Sequence, residues 1–310
     1  MGNCIAVMDL GTNTFHLMIA KIGNGGFKEI ARDHEAVKLG EGGISKGFIQ
    51  QSAFDRGVKT MERFSEQIKQ HGVKRVKAIA TSALRSASNG LDFIEAVKQR
   101  TGISIDIIDG IKEATYIYQG VKASGALFAD TSLIMDIGGG SVEFIICTNK
   151  EMLWKHSFEI GAARLIERFH NVDPISPLAI SELHAYLDEV LKPLYDTANN
   201  SVISKLIGSA GAFETFAEVI ELEKQDNFDV KNVKTYDFVV ADLIRITDVL
   251  MASSNKERKA IKGIISLRID MIVVASVLTR YVMDKLHIRN IGMCTYSLKE
   301  GVMAGLAEEV

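Results

Sequence analysis

Residues 134–146 read IMDIGGGSVEFII, and residues 7–19 read VMDLGTNTFHLMI. At a constant offset of 127 the two stretches align without a gap. Asp136 meets Asp9, Gly138 meets Gly11, and Ser141 meets Thr14. Each copy is an apolar strand, an Asp-apolar-Gly step, a small polar turn and a second apolar strand. Each then runs on to a hairpin turn (Gly23-Asn24-Gly25-Gly26; Thr148-Asn149-Lys150) and a third strand. Shared strand periodicity does not by itself hold Asp and Gly in one register, so the repeat predicts two related domains facing each other across a cleft.

Between these landmarks strands and helices alternate. Val58, Met61, Phe64 and Ile68 fall at helical spacing ahead of Gly72. Val76–Ala80 reads as a strand, 89–100 as a helix stopped by Gly102, 103–107 as a strand and 113–124 as a helix. Further on, the pattern predicts strands over 132–137, 152–159, 203–208 and 288–292. Helices are expected over 161–170, 178–198, 236–252, 268–285 and 297–308. This is an α/β class. The boundary falls near residue 125, dividing the chain into 1–125 and 126–310, with a structured hinge and a last helix placed to pack back on the first domain.

The 310 residues suffice for two cores, and 47% hydrophobic with 24% charged residues is ordinary globular composition. Lys+Arg 36 against Asp+Glu 39 leaves a formal charge of -3, so no global basic field exists to hold nucleic acid. Cys4, Cys147 and Cys294 are odd in number and lack metal-ligand spacing, as expected of free thiols in a reducing compartment. Neither a secretory leader nor an apolar run of about 20 residues is recognisable, so the expectation is a soluble cytoplasmic protein away from membranes.

The chemistry concentrates in a few places. Gly11-Thr12-Asn13-Thr14 and Gly138-Gly139-Gly140-Ser141 offer backbone N–H groups and hydroxyls of the kind that hold phosphates, although each also reads as a tight hairpin. Neither is a Walker loop or a GxGxxG turn. Asp9, Asp136 and Glu143 converge if the turns face each other, and hard oxygen ligands suit Mg²⁺. Glu143 reads equally as a polar residue of a half-exposed strand. Thr81–Asn89 joins a strand to a helix. Asn89 fits an N-cap there, whereas Arg85 is left for an anion. Glu113, in the first turn of a helix after Asp109-Gly110, reads on residue chemistry alone as an acid placed for the helix dipole. Lys256, Arg258, Lys259, Lys262 and Arg268 form either a polyanion track or a solvated helix end.

Taken together these motifs resemble the exopolyphosphatase / guanosine pentaphosphate phosphatase (Ppx/GppA) family. Met8–Phe15 looks like its first phosphate turn, and Lys38-Leu39-Gly40-Glu41-Gly42 like a second short signature. Thr81–Asn89 is similar to its T-x-x-x-R-x-A-x-N loop, and Asp136–Glu143 to its D-I-G-G-G-S-x-E turn. Gly208-Ser209-Ala210-Gly211 and Ser297–Gly301 resemble its later turns. The likeness runs from residue 8 to about 305 and is to the short form, without an HD-type C-terminal extension.

The resemblance implies the actin-like/Hsp70-like (ribonuclease H-like) superfold and a homodimer. It also implies hydrolysis of a terminal phosphoanhydride with Mg²⁺ or another divalent cation. The expected substrate is inorganic polyphosphate, the alternative being guanosine pentaphosphate (pppGpp). By the resemblance Glu113 takes the place of the catalytic base. Gly11, Thr12, Asn13, Thr14, Arg85, Gly138, Gly139, Gly140, Ser141 and Arg268 would bind phosphate. Asp136, Glu143 and Asp9 would hold the metal. Two positions depart from the family pattern: Lys112 stands where an acid is usual and Thr115 where Arg is usual. A cation at Lys112 would lower the pKa of Glu113, and these departures leave open a catalytically feeble regulatory relative as an alternative. A kinase of the same superfold is a weaker rival.

Overall fold

The computed structural model describes residues 4–23, 26–199, 201–225 and 227–309. The tip of the first hairpin, Asn24-Gly25, lies outside the described residues. The chain begins with β1 (Cys4–Leu10), β2 (Phe15–Gly23), β3 (Gly26–Glu35), α1 (Gln51–Gln70) and β4 (Arg75–Ala80). Then come α2 (Ser82–Ser86), α3 (Gly90–Thr101), β5 (Ile105–Ile107) and α4 (Gly110–Ser124). The strands form one sheet in the order β3-β2-β1-β4-β5.

The second half runs β6 (Ser132–Ile137), β7 (Val142–Cys147), β8 (Met152–Phe158), α5 (Ala162–Phe169), α6 (Pro177–Val190), α7 (Lys192–Ala198) and β9 (Lys205–Ser209). It ends with α8 (Gly211–Lys224), β10 (Thr235–Asp237), α9 (Val240–Ala252), α10 (Asn255–Ala260), α11 (Met271–Lys285), β11 (Ile291–Cys294) and α12 (Leu298–Glu308). Its sheet is ordered β10-β11-β9-β6-β7-β8. Apart from the extra edge strand β10, the second sheet repeats the first: three antiparallel strands joined through the first of them to parallel partners.

Strand alternation explains the layers. Ala6, Met8 and Leu10 of β1 pack with α1 and α3 residues such as Phe64 and Phe93. Ile5 and Val7 point the other way, into a core shared with α4, α12 and the second sheet's Ile134, Ile145 and Ile207. Leu133, Met135 and Ile137 face the outer helices of the second half. Helices α4 and α12 therefore fill the space between the sheets. They cross where Gly120 and Gly301 bring backbone against backbone: a Cβ at Gly120 would strike Ser297 O, and one at Gly301 would strike Tyr116 O.

The structure corrects several element readings. The helix expected over 178–198 is two, α6 and α7, because Pro193 cannot continue the ladder. Residues 235–237 form an edge strand rather than the start of a helix, and α10 was not foreseen. Asn89 precedes α3 but makes no side-chain cap; its amide instead brackets the Ile49 backbone, with both bonds at 2.9 Å. All three cysteines are free. Among the described residues no helix is long and apolar enough to cross a membrane.

Candidate active site

The alternation that builds the core also delivers the acids. Asp9 has the parity of Ile5 and Val7, and Asp136 that of Ile134, so both carboxylates point into the space between the sheets. Beyond each Asp the chain makes the same turn. Gly11 N donates to Thr14 O at 3.1 Å, and Gly138 N donates to Ser141 O at 3.0 Å.

Carbonyls of both turns are engaged from behind. Asn13 O and Thr12 O accept from the amides of Lys38 (2.8 Å) and Gly40 (3.0 Å). The oxygens of Gly138, Gly139 and Gly140 accept from Ala162 (2.9 Å), Ala163 (2.8 Å) and Gly161 (3.1 Å). The polar groups these turns have left for a ligand are therefore N–H donors and hydroxyls, the chemistry of an oxyanion cradle. The Lys38–Gly42 stretch is the brace of the first turn.

The turns enclose a cavity of ≈ 150 Å³ walled by residues 11–14, residues 138–141, Asp9, Asp136, Glu113 and Arg268. They touch each other. A Cβ on Gly139 would run into the Asn13 side chain and come within 3.0 Å of Thr12 Cβ; one on Gly140 would lie 2.7 Å from Thr12 Oγ1. Behind them Ala210 holds φ 67° and ψ 174°, a conformation costly for a residue with a side chain, next to Gly211. The Arg268 guanidinium lies against Gly211, where a Cβ would collide with it. No ion pair or side-chain hydrogen bond to it is present among the described residues. Burial pulls its pKa down against the pull of Glu214 and Asp136. An unpaired guanidinium at the floor of a cavity is a ready phosphate ligand.

Glu113 is buried in the first turn of α4. Arg85 Nη1 donates to its Oε2 at 3.1 Å and to Ile108 O at 2.9 Å. Burial and the neighbouring Glu143 push the Glu113 pKa well up, and Arg85 only partly offsets them. The expected lowering by Lys112 does not occur: that side chain is exposed, with its ammonium 4.7 Å over the Tyr116 ring. Thr115 accepts a hydrogen bond from Lys155 at 2.8 Å.

Asp9, Asp136 and Glu143 do not assemble into a metal cage; among the described residues no three His, Cys, Asp or Glu side chains are grouped to hold an ion. Glu143 is set back, accepting from Ser157 Oγ at 2.6 Å, and burial followed by Asp136 raises its pKa. Burial likewise pushes Asp9 up to about 7, against Lys299, and Asp136 up to about 6, against Ser209 and Lys299. Ser209 Oγ donates to one Asp136 oxygen at 2.7 Å, whereas Asp9 Oδ1 is buried without a partner. That orphaned oxygen beside a second carboxylate fits a cation that keeps most of its waters.

The surface polyanion track is contradicted at its centre. Arg258 is fully buried, donating to Ile269 O (2.6 Å), Asp173 Oδ1 (2.6 Å) and Ser253 O. It pins the segment that carries Arg268 rather than facing solvent.

Comparison with known proteins decides the family. The model of the Ppx/GppA phosphatase family matches residues 18–310. The chain belongs to the Ppx/GppA phosphatase family. It is 30% identical, over 97% of its length and 91% of the relative's, to a putative exopolyphosphatase of Haemophilus influenzae. A solved exopolyphosphatase from Cytophaga hutchinsonii superposes with a TM-score of 0.95 at 42% identity, covering 99% of this chain and 98% of that one. The Aquifex aeolicus PPX-GPPA enzyme shares the fold, with a TM-score of 0.82 at 23% identity over 97% and 99% of the two chains. The fold, two mixed sheets with helices, is thus the one found in solved Ppx/GppA family structures.

Several residues of this Ppx/GppA site went unread in the sequence. His16 pairs directly with Asp9 across the first hairpin, the position that Glu143 holds in the second. The 127-residue offset was signal enough to find it. Lys299 lines the cavity and forms an ion pair with buried Glu300 at 3.2 Å. Its signal was a cation in the first turn of a helix, where the dipole disfavours one. Glu159 and Arg164, which flank the cleft mouth, carried no pattern that separates them from an ordinary strand-to-helix link.

Proposed function

We propose that this protein hydrolyses the terminal phosphoanhydride of inorganic polyphosphate. The observation that carries the reading is the buried Glu113 carboxylate in one cavity with two opposed N–H-bearing turns. The amides and hydroxyls of residues 11–14 and 138–141, with Arg268, hold the terminal phosphates. Glu113 takes a proton from a water as the water oxygen attacks the terminal phosphorus. The bridging P–O bond breaks, and the shortened chain leaves with the bridging oxygen. Burial makes Glu113 a stronger base than a free carboxylate, and Arg85 fixes its direction. Positioning and charge stabilisation supply the rest.

A divalent cation such as Mg²⁺ would be held by Asp9 and Asp136, where it supplies neutralisation of phosphate charge. Burial raises the pKa of both acids, so a bound ion would also keep them ionised. Action in the cytoplasm as a homodimer belongs to the same proposal. The names of the relatives, exopolyphosphatases among them, support the substrate class.

The test is phosphate release from polyphosphate with Mg²⁺ by wild type and Glu113→Gln. The expected loss is about 100-fold or more; equal rates would remove Glu113 from the mechanism. The wild-type rate should rise with pH as the raised Glu113 pKa is passed. Competition by pppGpp that abolishes polyphosphate turnover at equal concentration would transfer the reading to the nucleotide.

A further inference from the structure

Glu159 lies between β8 and α5 with its side chain 48% exposed, yet its two carboxylate oxygens collect three donors. Ser82 Oγ donates to Oε2 at 2.8 Å, Arg164 Nη2 to Oε2 at 2.8 Å, and Arg85 Nη2 to Oε1 at 3.0 Å. Ser82 and Arg85 belong to α2, on the first half of the chain; Arg164 belongs to α5, on the second. The constellation therefore closes across the cleft, and Ser82 is also part of the cavity wall beside Gly140.

None of the donors depends on Glu159 for its place. Arg85 Nη1 is anchored on Ile108 O and Glu113. Arg164 Nε is anchored on Gly140 O at 2.9 Å, and its Nη1 on Ile44 O at 3.2 Å. Ser82 is 1% exposed. Both arginine side chains are less exposed than the acid, at 21% and 19%. If Glu159 swings into solvent, two guanidinium edges and a hydroxyl remain fixed, converging on one point at the cleft mouth. An oxyanion with tetrahedral oxygens satisfies such a set as well as a carboxylate does.

We propose that Ser82, Arg85 and Arg164 form a second phosphate subsite of the cleft, and that Glu159 is its built-in carboxylate occupant, which a substrate phosphate must displace. Resting on the polyphosphate reading for its ligand, the subsite would take a phosphate of the chain behind the terminal one. Glu159 sets the affinity for the polyanion: it keeps the arginines paired when the cleft is vacant and gives a short or weak anion little advantage. It also explains why Arg85, although in the motif expected to bind phosphate, is held by two carboxylates.

The experiment is calorimetric titration of the full chain with tripolyphosphate in the presence of a chelator, which stops turnover. Wild type is compared with Glu159→Gln and with Glu167→Gln, which makes the same charge change at an exposed position of α5. Glu159→Gln is expected to lower Kd by about fivefold or more and Glu167→Gln to leave it unchanged. An unchanged or raised Kd in Glu159→Gln, or an equal gain in both variants, overturns the proposal. Polyphosphate hydrolysis is measured separately. Tighter binding by Glu159→Gln in a protein that cleaves no polyphosphate retains the subsite and rejects the proposed activity. Hydrolysis by wild type with unaltered Kd in the variant does the reverse.

Discussion

The two hairpins at the heart of the cleft are near copies that set different titratable side chains opposite the Asp. Each carries an Asp one residue before the end of its first strand, makes the same Gly N–H to hydroxyl-residue C=O turn, and sets a polar residue opposite the Asp at the second position of its second strand. That residue is His16 in the first hairpin and Glu143 in the second. Burial drives both toward neutrality: the His16 pKa is pushed well down, helped by Lys299, His34, Arg268 and Arg32, while that of Glu143 is pushed up, helped by Asp136. His16 is pressed by cations, whereas Glu143 stands near the acids Asp136 and Glu113; Lys299 acts on the Asp of both turns. One duplicated backbone thus carries an imidazole in one copy where the other carries a carboxylate. Burial and the side chains that other elements insert between the sheets set the charge state of each.

The glycines divide the same way. Gly11 and Gly138 are equivalent, each with a Cβ position about as close to the turn's own oxygen, 2.9 and 3.0 Å. Gly139 and Gly140 have no glycine counterparts in Thr12 and Asn13. They are glycines because the first turn's side chains, with Ser82, press against them.

Four substitutions test this comparison. The largest effect is expected on the support of the first turn. Asn13 Nδ2 contacts Met271 Sδ at 3.3 Å, and the segment before Met271 is tied by Arg258 to Asp173. Asp173→Asn leaves a buried guanidinium short of its best partner and should cost about 3 kcal/mol in denaturant unfolding. Burial opposes ionisation of Asp173, but its bonds from Arg258 and the Asn255 amide hold the pKa below the ordinary value. That stability is present above the ordinary carboxylate pKa of about 4 and is lost as pH falls through the lower folded value. Wild-type melting temperature should therefore drop on acidification more steeply than that of the variant.

Next comes the contact between the turns. Gly139→Ala should separate them and lower kcat/KM about 100-fold with little change in melting temperature; retained activity would mean that the turns need not touch. The smallest difference is expected between Gly11→Ala and Gly138→Ala. If the hairpins are true equivalents, their stability costs agree within about 0.5 kcal/mol, and a larger gap would break the equivalence.

Much of this was readable before the structure. Asp9, Asp136, the turns and their common offset are local facts, since strand alternation and glycine chemistry act within a few residues. Glu113 was locatable only through the family pattern, because an acid in a helix's first turn has an ordinary explanation. Arg258 was misread because exposed and buried arginines look alike in a charge run; only the packing of α10 against the segment before α11 removes it from water. Lys112 was misjudged for the same reason: proximity in sequence on a helix says nothing about which way the ammonium turns.

From its sequence alone this chain is specified as a duplicated α/β protein with two phosphate-type turns, because period-two alternation and invariant register are short-range properties. The protonation of its acids, the pairing of Arg85 with Glu113 and Glu159, and the glycine-to-side-chain fit between the turns were decided in three dimensions. Desolvation and Coulomb interaction depend on distance through space, and the groups that set them here lie as far apart in the chain as Asp9 and Lys299.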